Sequence, residues 1–281
     1  MAVYVFPGQG SQTKGMGQGL FEEFPEITSK ADKILGYSIA ELCLQDHRNE
    51  LGQTQFTQPA LYTVNALMYQ KKLKDTSGQK PKFVAGHSLG EYDALYVAEC
   101  FDFETGLKIV QKRGALMSQV SGGGMAAIIG KTSQEIADIL QKNGLEKIDI
   151  ANLNSIKQTV ISGLKEDVTR SQPIFEAAGA MFFPLKVSGA FHSRYMTPAA
   201  DEFKTFVDQF TFSAPKIPVI ANYTAQPYGS DVKTNLVEQI NHSVKWTDTI
   251  LYLMQQGEQD FVEIGPGTVL AGLIGKIKRN Q

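Results

Sequence analysis

The sequence predicts an α/β protein: a large domain with a mostly parallel sheet, carrying a small inserted ferredoxin-like domain. Three observations predict it. Short apolar runs alternate with helical stretches through most of the 281 residues, the pattern of a parallel sheet covered by helices. One run, Phe83-Val84-Ala85, leads straight into Gly86-His87-Ser88-Leu89-Gly90 and then a helix. That is the strand–turn–helix setting of a nucleophile on an α/β-hydrolase-like sheet. After Ser121-Gly122-Gly123-Gly124 the texture changes, and the order becomes β-α-β-β-α-β, the ferredoxin-like signature. The large domain is therefore expected at 1–123 and 189–281, and the small one at 124–188.

The elements follow in order. Residues 2–6 read as a strand ending in the sharp loop Pro7-Gly8-Gln9-Gly10-Ser11-Gln12. Met16, Leu20 and Phe24 mark a helical stretch. Pro25 starts the next helix, whose face carries Ile27, Ala31, Ile34 and Leu35, and Gly36 ends it. A longer helix is expected over 59–74, buried through Leu61, Val64, Leu67, Met68 and Leu73. The nucleophile turn is followed by a helix over 89–97. Asp102 or Glu104 opens another, with Leu107, Ile109, Val110, Leu116 and Met117 inward. In the small domain, strands are expected over 125–129, 148–153, 159–162 and 182–187. Its helices are expected over 133–140, capped by Ser133, and 166–178. The triple glycine precedes a strand rather than a helix, so it reads as a domain connection and not a phosphate loop. The chain then gives a helix over 195–210, a strand over 217–221, two helices flanking Trp246 and a strand over 261–264. Gly265-Pro266-Gly267 turns that strand into a terminal helix with Leu270, Leu273 and Ile274.

Bulk properties exclude several function classes. A net charge of −2 with dispersed Lys and Arg gives no electrostatic case for nucleic acid. Pro7-Gly8 interrupts the first apolar stretch, and no basic n-region precedes it, so no signal peptide is expected. No apolar run approaches the ~20 residues of a membrane span. A cytoplasmic protein without membrane association is expected. Cys43 and Cys100 are too few for a disulfide framework and read as inert thiols. The only histidines are His47, His87, His192 and His242, with no H-E-x-x-H, so no metal site is expected.

Serine at its free pKa is a poor nucleophile and needs a base within hydrogen-bond reach. His87 is adjacent to Ser88, so its side chain should diverge. His192, in Ser188-Gly189-Ala190-Phe191-His192-Ser193, is the better candidate, although a histidine in such a loop is more often structural. A hydrolase would carry an acid to orient it. Asp138, Asp149, Glu166 and Asp167 are available, but none has a distinguishing context. A backbone carbonyl can hold the imidazole instead, since any acceptor fixes the tautomer. The Gln9 loop is either an ordinary turn or, with the N–H of Leu89, an oxyanion hole. Arg113 lies on an otherwise apolar helix. It is either solvated or, turned inward beside Ser88, a bidentate carboxylate clamp.

These pieces occur together in one family. Phe6-Pro7-Gly8-Gln9-Gly10-Ser11-Gln12, Thr57-Gln58-Pro59-Ala60, Gly86-His87-Ser88-Leu89-Gly90-Glu91-Tyr92, Arg113-Gly114, Gly189-Ala190-Phe191-His192-Ser193 and Glu263-Ile264-Gly265-Pro266-Gly267 follow one another along the whole chain. Together they resemble the malonyl-CoA:acyl carrier protein transacylases. The resemblance implies that Ser88 is acylated by malonyl-CoA, with His192 as base and then acid. It implies oxyanion amides from Gln9 and Leu89, and a malonyl carboxylate paired with Arg113. It also implies that a main-chain carbonyl near Lys245 orients the histidine, and that Phe191 crowds an α-methyl group and so selects malonyl. The acceptor would be the phosphopantetheine thiol of an acyl carrier protein or a carrier domain of a polyketide synthase. No bound cofactor is implied, and a monomer is expected. The stretch from Gln53 to Tyr62, with Phe101-Asp102-Phe103-Glu104-Thr105-Gly106, looks closer to stand-alone transferases of polyketide assembly lines than to the fatty-acid enzyme. The chain departs from the family pattern at three places. Asp93 replaces a small residue, Ile156 a frequent proline, and Lys245 a Gln or Arg. The competing readings are a serine hydrolase that clears carrier proteins and a non-catalytic carrier-docking module.

Overall fold

The computed structural model describes residues 2–280. From the N-terminus, β1 (Val3–Phe6) precedes α1 (Leu20–Glu23), α2 (Pro25–Leu35), α3 (Ile39–Leu44) and α4 (Thr54–Asp75). β2 (Phe83–Gly86) leads into α5 (Gly90–Val97) and α6 (Phe103–Gln119). The middle of the chain reads β3 (Gly123–Ile129), α7 (Ser133–Lys142), β4 (Asp149–Ser155), β5 (Gln158–Leu164), α8 (Lys165–Ala177) and β6 (Met181–Pro184). A 3-10 turn at Arg194–Met196 then opens α9 (Thr197–Val207), followed by β7 (Val219–Ile220), α10 (Val232–Asn241), α11 (Trp246–Gln255), β8 (Phe261–Glu263) and α12 (Val269–Arg279).

The strands form two sheets. β7-β2-β1-β8 is parallel throughout, and β4-β5-β3-β6 is antiparallel throughout. In the parallel sheet both faces are covered, which is why its strands read as unbroken apolar runs. Val3, Val5 and Ala85 pack with Trp246, Ile250 and Leu273 on one side. Tyr4, Phe6 and Val84 belong to the main core with α4, α5 and α6 on the other. In the antiparallel sheet Ala126, Ile128, Ile161 and Phe182 pack against Ile136 and Leu140 of α7 and Phe175 of α8. Its opposite face sends Met125, Ala127 and Val160 into the main core. A parallel bridge between Asn152 and Val244 stitches the two parts together.

Register decides where a site can form. Phe6 pairs with Gly86, so β1 and β2 end level. Their following loops, Pro7-Gly8-Gln9 and His87-Ser88-Leu89, therefore emerge side by side at the carboxyl edge, the usual ligand position in an open parallel sheet. The backbones touch there. A Cβ on Gly90 would lie 2.0 Å from the Phe6 carbonyl oxygen, and one on Gly86 would lie 1.9 Å from the Gly90 carbonyl carbon.

Several boundaries differ from the sequence reading. α4 starts at Thr54 rather than at 59, with Pro59 inside it. One backbone hydrogen bond is lost there, close to the helix start, and Thr57 to Leu61 are all buried. Thr132, not Ser133, caps α7. Its Oγ1 accepts from Glu135 N (3.3 Å) while the Glu135 carboxylate accepts from Thr132 N (2.8 Å), a complete capping box. The helix expected over 195–210 is split, because Pro198 sits in the first turn of a new helix. β6 stops at Pro184, which has no N–H to continue a ladder.

Gly90→Ala is expected to cost about 3 kcal/mol or more, because its Cβ would overlap main-chain atoms that cannot rotate away. Urea unfolding measures this as a lower midpoint at constant slope. A loss under about 0.5 kcal/mol would mean that the two loops can part.

Candidate active site

Ser88 occupies the turn between β2 and α5 with φ of 52°. This is the left-handed region, in which the turn lifts the side chain clear of the sheet edge. Asn222, just past β7, holds the turn from both sides. Its Oδ1 accepts from Ser88 N (2.7 Å) and its Nδ2 donates to the Gly86 carbonyl (2.6 Å). The chain thus fixes its nucleophile with a side chain 134 positions away.

His192 meets it from the opposite side. Ser88 Oγ lies 2.7 Å from His192 Nε2, and His192 Nδ1 lies 2.8 Å from the Gln239 carbonyl oxygen. A carbonyl can only accept, so Nδ1 carries the proton and Nε2 is the free base facing the hydroxyl. His192 is buried. Burial first, and the Arg113 cation second, push its pKa down to about 3, against a smaller upward pull from the Gln239 carbonyl. The imidazole therefore rests neutral, as a base must.

Arg113 is turned inward from α6 and is 1% exposed. Its Nη2 donates to Ser88 Oγ (3.1 Å) and to Gln239 Oε1 (2.8 Å), and its Nη1 donates to Gln58 Oε1 (2.8 Å). Its Nε has no partner. Its guanidinium carbon lies 5.3 Å from the Tyr92 ring centroid. Among the described residues Arg113 makes no ion pair within 4.0 Å. A buried cation held only by neutral dipoles is expensive, and an anion placed here would relieve that cost.

Gln239 on α10 joins these groups. Besides accepting from His192 and Arg113, it donates through Nε2 to the Ser88 carbonyl (2.8 Å) and to Glu91 Oε2 (2.6 Å). Glu91 is fully buried and also accepts from Asn222 N (3.3 Å) and from the Tyr228 hydroxyl. Desolvation raises its pKa to about 7, partly offset by those donors and then by Arg113. The sequence reading missed Gln239 and Asn222, and Glu91 stood in the quoted motif without a role.

The remaining expected residues fall as follows. The Gln9 and Leu89 N–H groups donate to no acceptor among the described residues. The Gly8 Cβ position is 3.4 Å from Leu89 N, so the Gln9 loop runs directly against that amide. These two amides, on loops that meet at the nucleophile turn, are left free to donate. Phe191 is buried next to His192. Lys245 is not where the resemblance put it. Its carbonyl accepts from Thr249 N (2.9 Å) at the start of α11, its N–H donates to Asn222 O (2.9 Å), and its Nζ lies over Tyr223. The carbonyl that orients His192 belongs to Gln239. Asp138, Asp149 and Asp167 are occupied by Gln134, Arg194 and Arg170, and His87 pairs with Asn154 at 2.8 Å. A cleft of about 640 Å³ reaches His192 between α7–β4 and α10, and one of about 350 Å³ reaches Gln9.

An acyl transferase domain model matches residues 3–279. The chain belongs to the acyl transferase domain family. This acyltransferase is 56% identical over 283 residues to a Bacillus subtilis (strain 168) protein named polyketide biosynthesis malonyl CoA-acyl carrier protein transacylase PksC, covering 100% of this chain and 98% of that relative. The crystal structure of malonyl CoA-acyl carrier protein transacylase from Burkholderia pseudomallei matches it with a TM-score of 0.97 at 47% identity, over 100% of this chain and 99% of the other. A malonyl-transacylase in complex with its type II PKS acyl carrier protein matches with a TM-score of 0.93 at 36% identity, over 99% and 93% of the two chains. The mixed α/β architecture, with its parallel and antiparallel sheets, is the one these structures share.

The charge arrangement gives a pH prediction. Arg113 disfavours the imidazolium, so removing it raises the His192 pKa. With a small uncharged ester such as p-nitrophenyl acetate, the acid limb of acylation should move to higher pH in Arg113→Ala. The parent protein should keep its activity well below pH 6.5, the ordinary histidine value. An unmoved limb would detach His192 from the Arg113 field.

Proposed function

We propose that the protein moves a malonyl group from malonyl-CoA to the phosphopantetheine thiol of an acyl carrier protein in polyketide assembly, through an acyl-Ser88 intermediate. The observation that carries this reading is Arg113, a buried cation 3.1 Å from Ser88 Oγ with no anionic partner among the described residues. A dicarboxylic acyl group brings the missing carboxylate to the atom that must attack its thioester. An acetyl group does not.

The steps follow from the hydrogen bonds. His192 Nε2 takes the Ser88 Oγ proton as Oγ attacks the thioester carbonyl. The tetrahedral oxyanion is received by the N–H groups of Gln9 and Leu89. Collapse breaks the C–S bond, and the imidazolium returns its proton to the departing CoA sulfur. The carrier thiol then attacks the acyl-serine, giving its proton to His192, and the second collapse returns that proton to Oγ. The Gln239 carbonyl supports the imidazolium in both halves without itself titrating. Malonyl binding also neutralises the cation that depresses His192, so the base strengthens as the substrate arrives. Phe191, buried beside His192, would crowd an α-methyl group and so favour malonyl. Residues 124–188 act as a small domain beside the large one of 1–123 and 189–281; its stretch 137–150 faces 192–243 across the cleft at His192, and the pantetheine arm would enter there.

The test follows label from radiolabelled malonyl-CoA with and without carrier protein. Label held on the protein and discharged onto carrier supports transfer. Prompt release as free malonate would replace this reading with a carrier-directed hydrolase, and no labelling would leave a docking module. Arg113→Ala should lose malonyl transfer by roughly 3–5 kcal/mol of transition-state stabilisation, with a much smaller loss for acetyl. Equal losses for the two acyl groups would remove the clamp.

A further inference from the structure

Asp93 and Asn65 form a buried pair outside the machinery described above. Asp93 lies on α5, one helical turn past the nucleophile, and Asn65 lies on α4. Both are 0% exposed. Asn65 Nδ2 donates to Asp93 Oδ2 (2.8 Å) and to the Pro7 carbonyl (3.2 Å). The other two oxygens of the pair, Asp93 Oδ1 and Asn65 Oδ1, are buried and have no partner among the described residues. The turn after β8 closes over the Asn65 side of the pair. A Cβ on Gly265 would lie 2.5 Å from Asn65 Oδ1 and 2.4 Å from Pro7 Cγ.

Two acceptors cannot satisfy each other, and leaving both buried and unpaired is costly. One proton removes both deficits. Placed on Asp93 Oδ1, it would let that atom donate to Asn65 Oδ1 and close a ring with the existing N–H···O bond. We propose that Asp93 is a neutral carboxylic acid, doubly bonded to Asn65, and that this pair clamps the Pro7–Gly8–Gln9 loop to the nucleophile helix. The Pro7 carbonyl is the third point of the clamp. It immediately precedes Gly8 and Gln9, whose backbone runs against His87 and Leu89. Asp93 is thus a positioning residue acting through the loop. The catalytic consequence rests on the reading of Gln9 N–H as an oxyanion donor.

The surroundings favour the neutral form. Asp93 has no cationic partner among its interactions, and burial raises its pKa well above the carboxylate range, against the Asn65 donor. The titratable groups that sense it are Tyr62 on α4 and Tyr96 on α5, both themselves raised by burial. Neither supplies a positive charge.

Three measurements on the whole protein test the clamp. Infrared difference spectra of parent against Asp93→Asn should show a protonated carboxylic acid band that the substitution removes, at every pH where the enzyme works. A carboxylate band there instead would overturn the proposal, and this arm needs no destabilised variant. Amide hydrogen exchange over residues 7–12 should rise in Asp93→Ala and return toward the parent in Asp93→Asn, whose NH2 replaces the acid O–H as donor. Unchanged exchange in Asp93→Ala, or Asn as impaired as Ala, would overturn it. Malonyl transfer by Asp93→Ala should lose kcat on the order of 10–100-fold at near-constant KM, with most of the rate recovered in Asp93→Asn. Faster exchange at unchanged kcat would uphold the clamp and sink the oxyanion reading of Gln9.

Discussion

A full positive charge lies 3.1 Å from the nucleophilic oxygen, held only by neutral groups. The amide oxygens of Gln58 and Gln239 and the face of Tyr92 replace part of the water that Arg113 has lost, and part of a hydration shell is less than a counter-ion. Much else in the site answers to this charge. After burial itself, it does most to hold the imidazole neutral, so that Nε2 stays free to accept a proton. It draws on Glu91, the nearest buried acid, which is itself spent on Tyr228, Gln239 and Asn222. In the proposed reaction an anionic acyl chain would complete the arrangement.

The amide of Gln239 translates that charge into geometry. Both of its hydrogens and its oxygen are committed, to Ser88, Glu91 and Arg113. Turning it over would set its NH2 against the guanidinium and its oxygen against a carboxylate, so it has one orientation. Its main-chain oxygen sets the histidine tautomer. One residue on α10 thus aligns a nucleophile carbonyl, a base and a cation. Removing any member leaves others unsatisfied, so losses here are not additive.

Much of this was legible in the residues. Gly86 and Gly90 flank Ser88 in a strand–turn–helix setting, and the contacts at 1.9 and 2.0 Å show why neither can carry a Cβ. The β-α-β-β-α-β order could be read because strand and helix periods differ. Ser88 stood out by its strand–turn–helix setting, whereas His192 and Arg113 each had an ordinary reading and gained a role only from the ordered set of motifs that the family resemblance rests on. What escaped had no residue-type signal. A carbonyl that orients a histidine can come from any residue, which is why Gln239 was missed and Lys245 misplaced. Asn222 acts across a long sequence separation, and only the parallel pairing of β2 with β7 brings it to the turn. Pro59 read as a helix start because proline prefers that place. Burial of the surrounding turn tolerated it five residues further in.

Both members of the serine–histidine pair stand on left-handed backbone, with φ of 52° at Ser88 and 55° at His192. For an L-residue with a Cβ that conformation costs on the order of 1 kcal/mol, and glycine escapes the cost. The distance between Oγ and Nε2 is thus set by two strained main-chain turns and not by rotamer choice alone. The fold would be more relaxed with its two reacting side chains erased. Selection for stability alone would push both positions toward glycine, and only selection for acyl transfer keeps the strain in place.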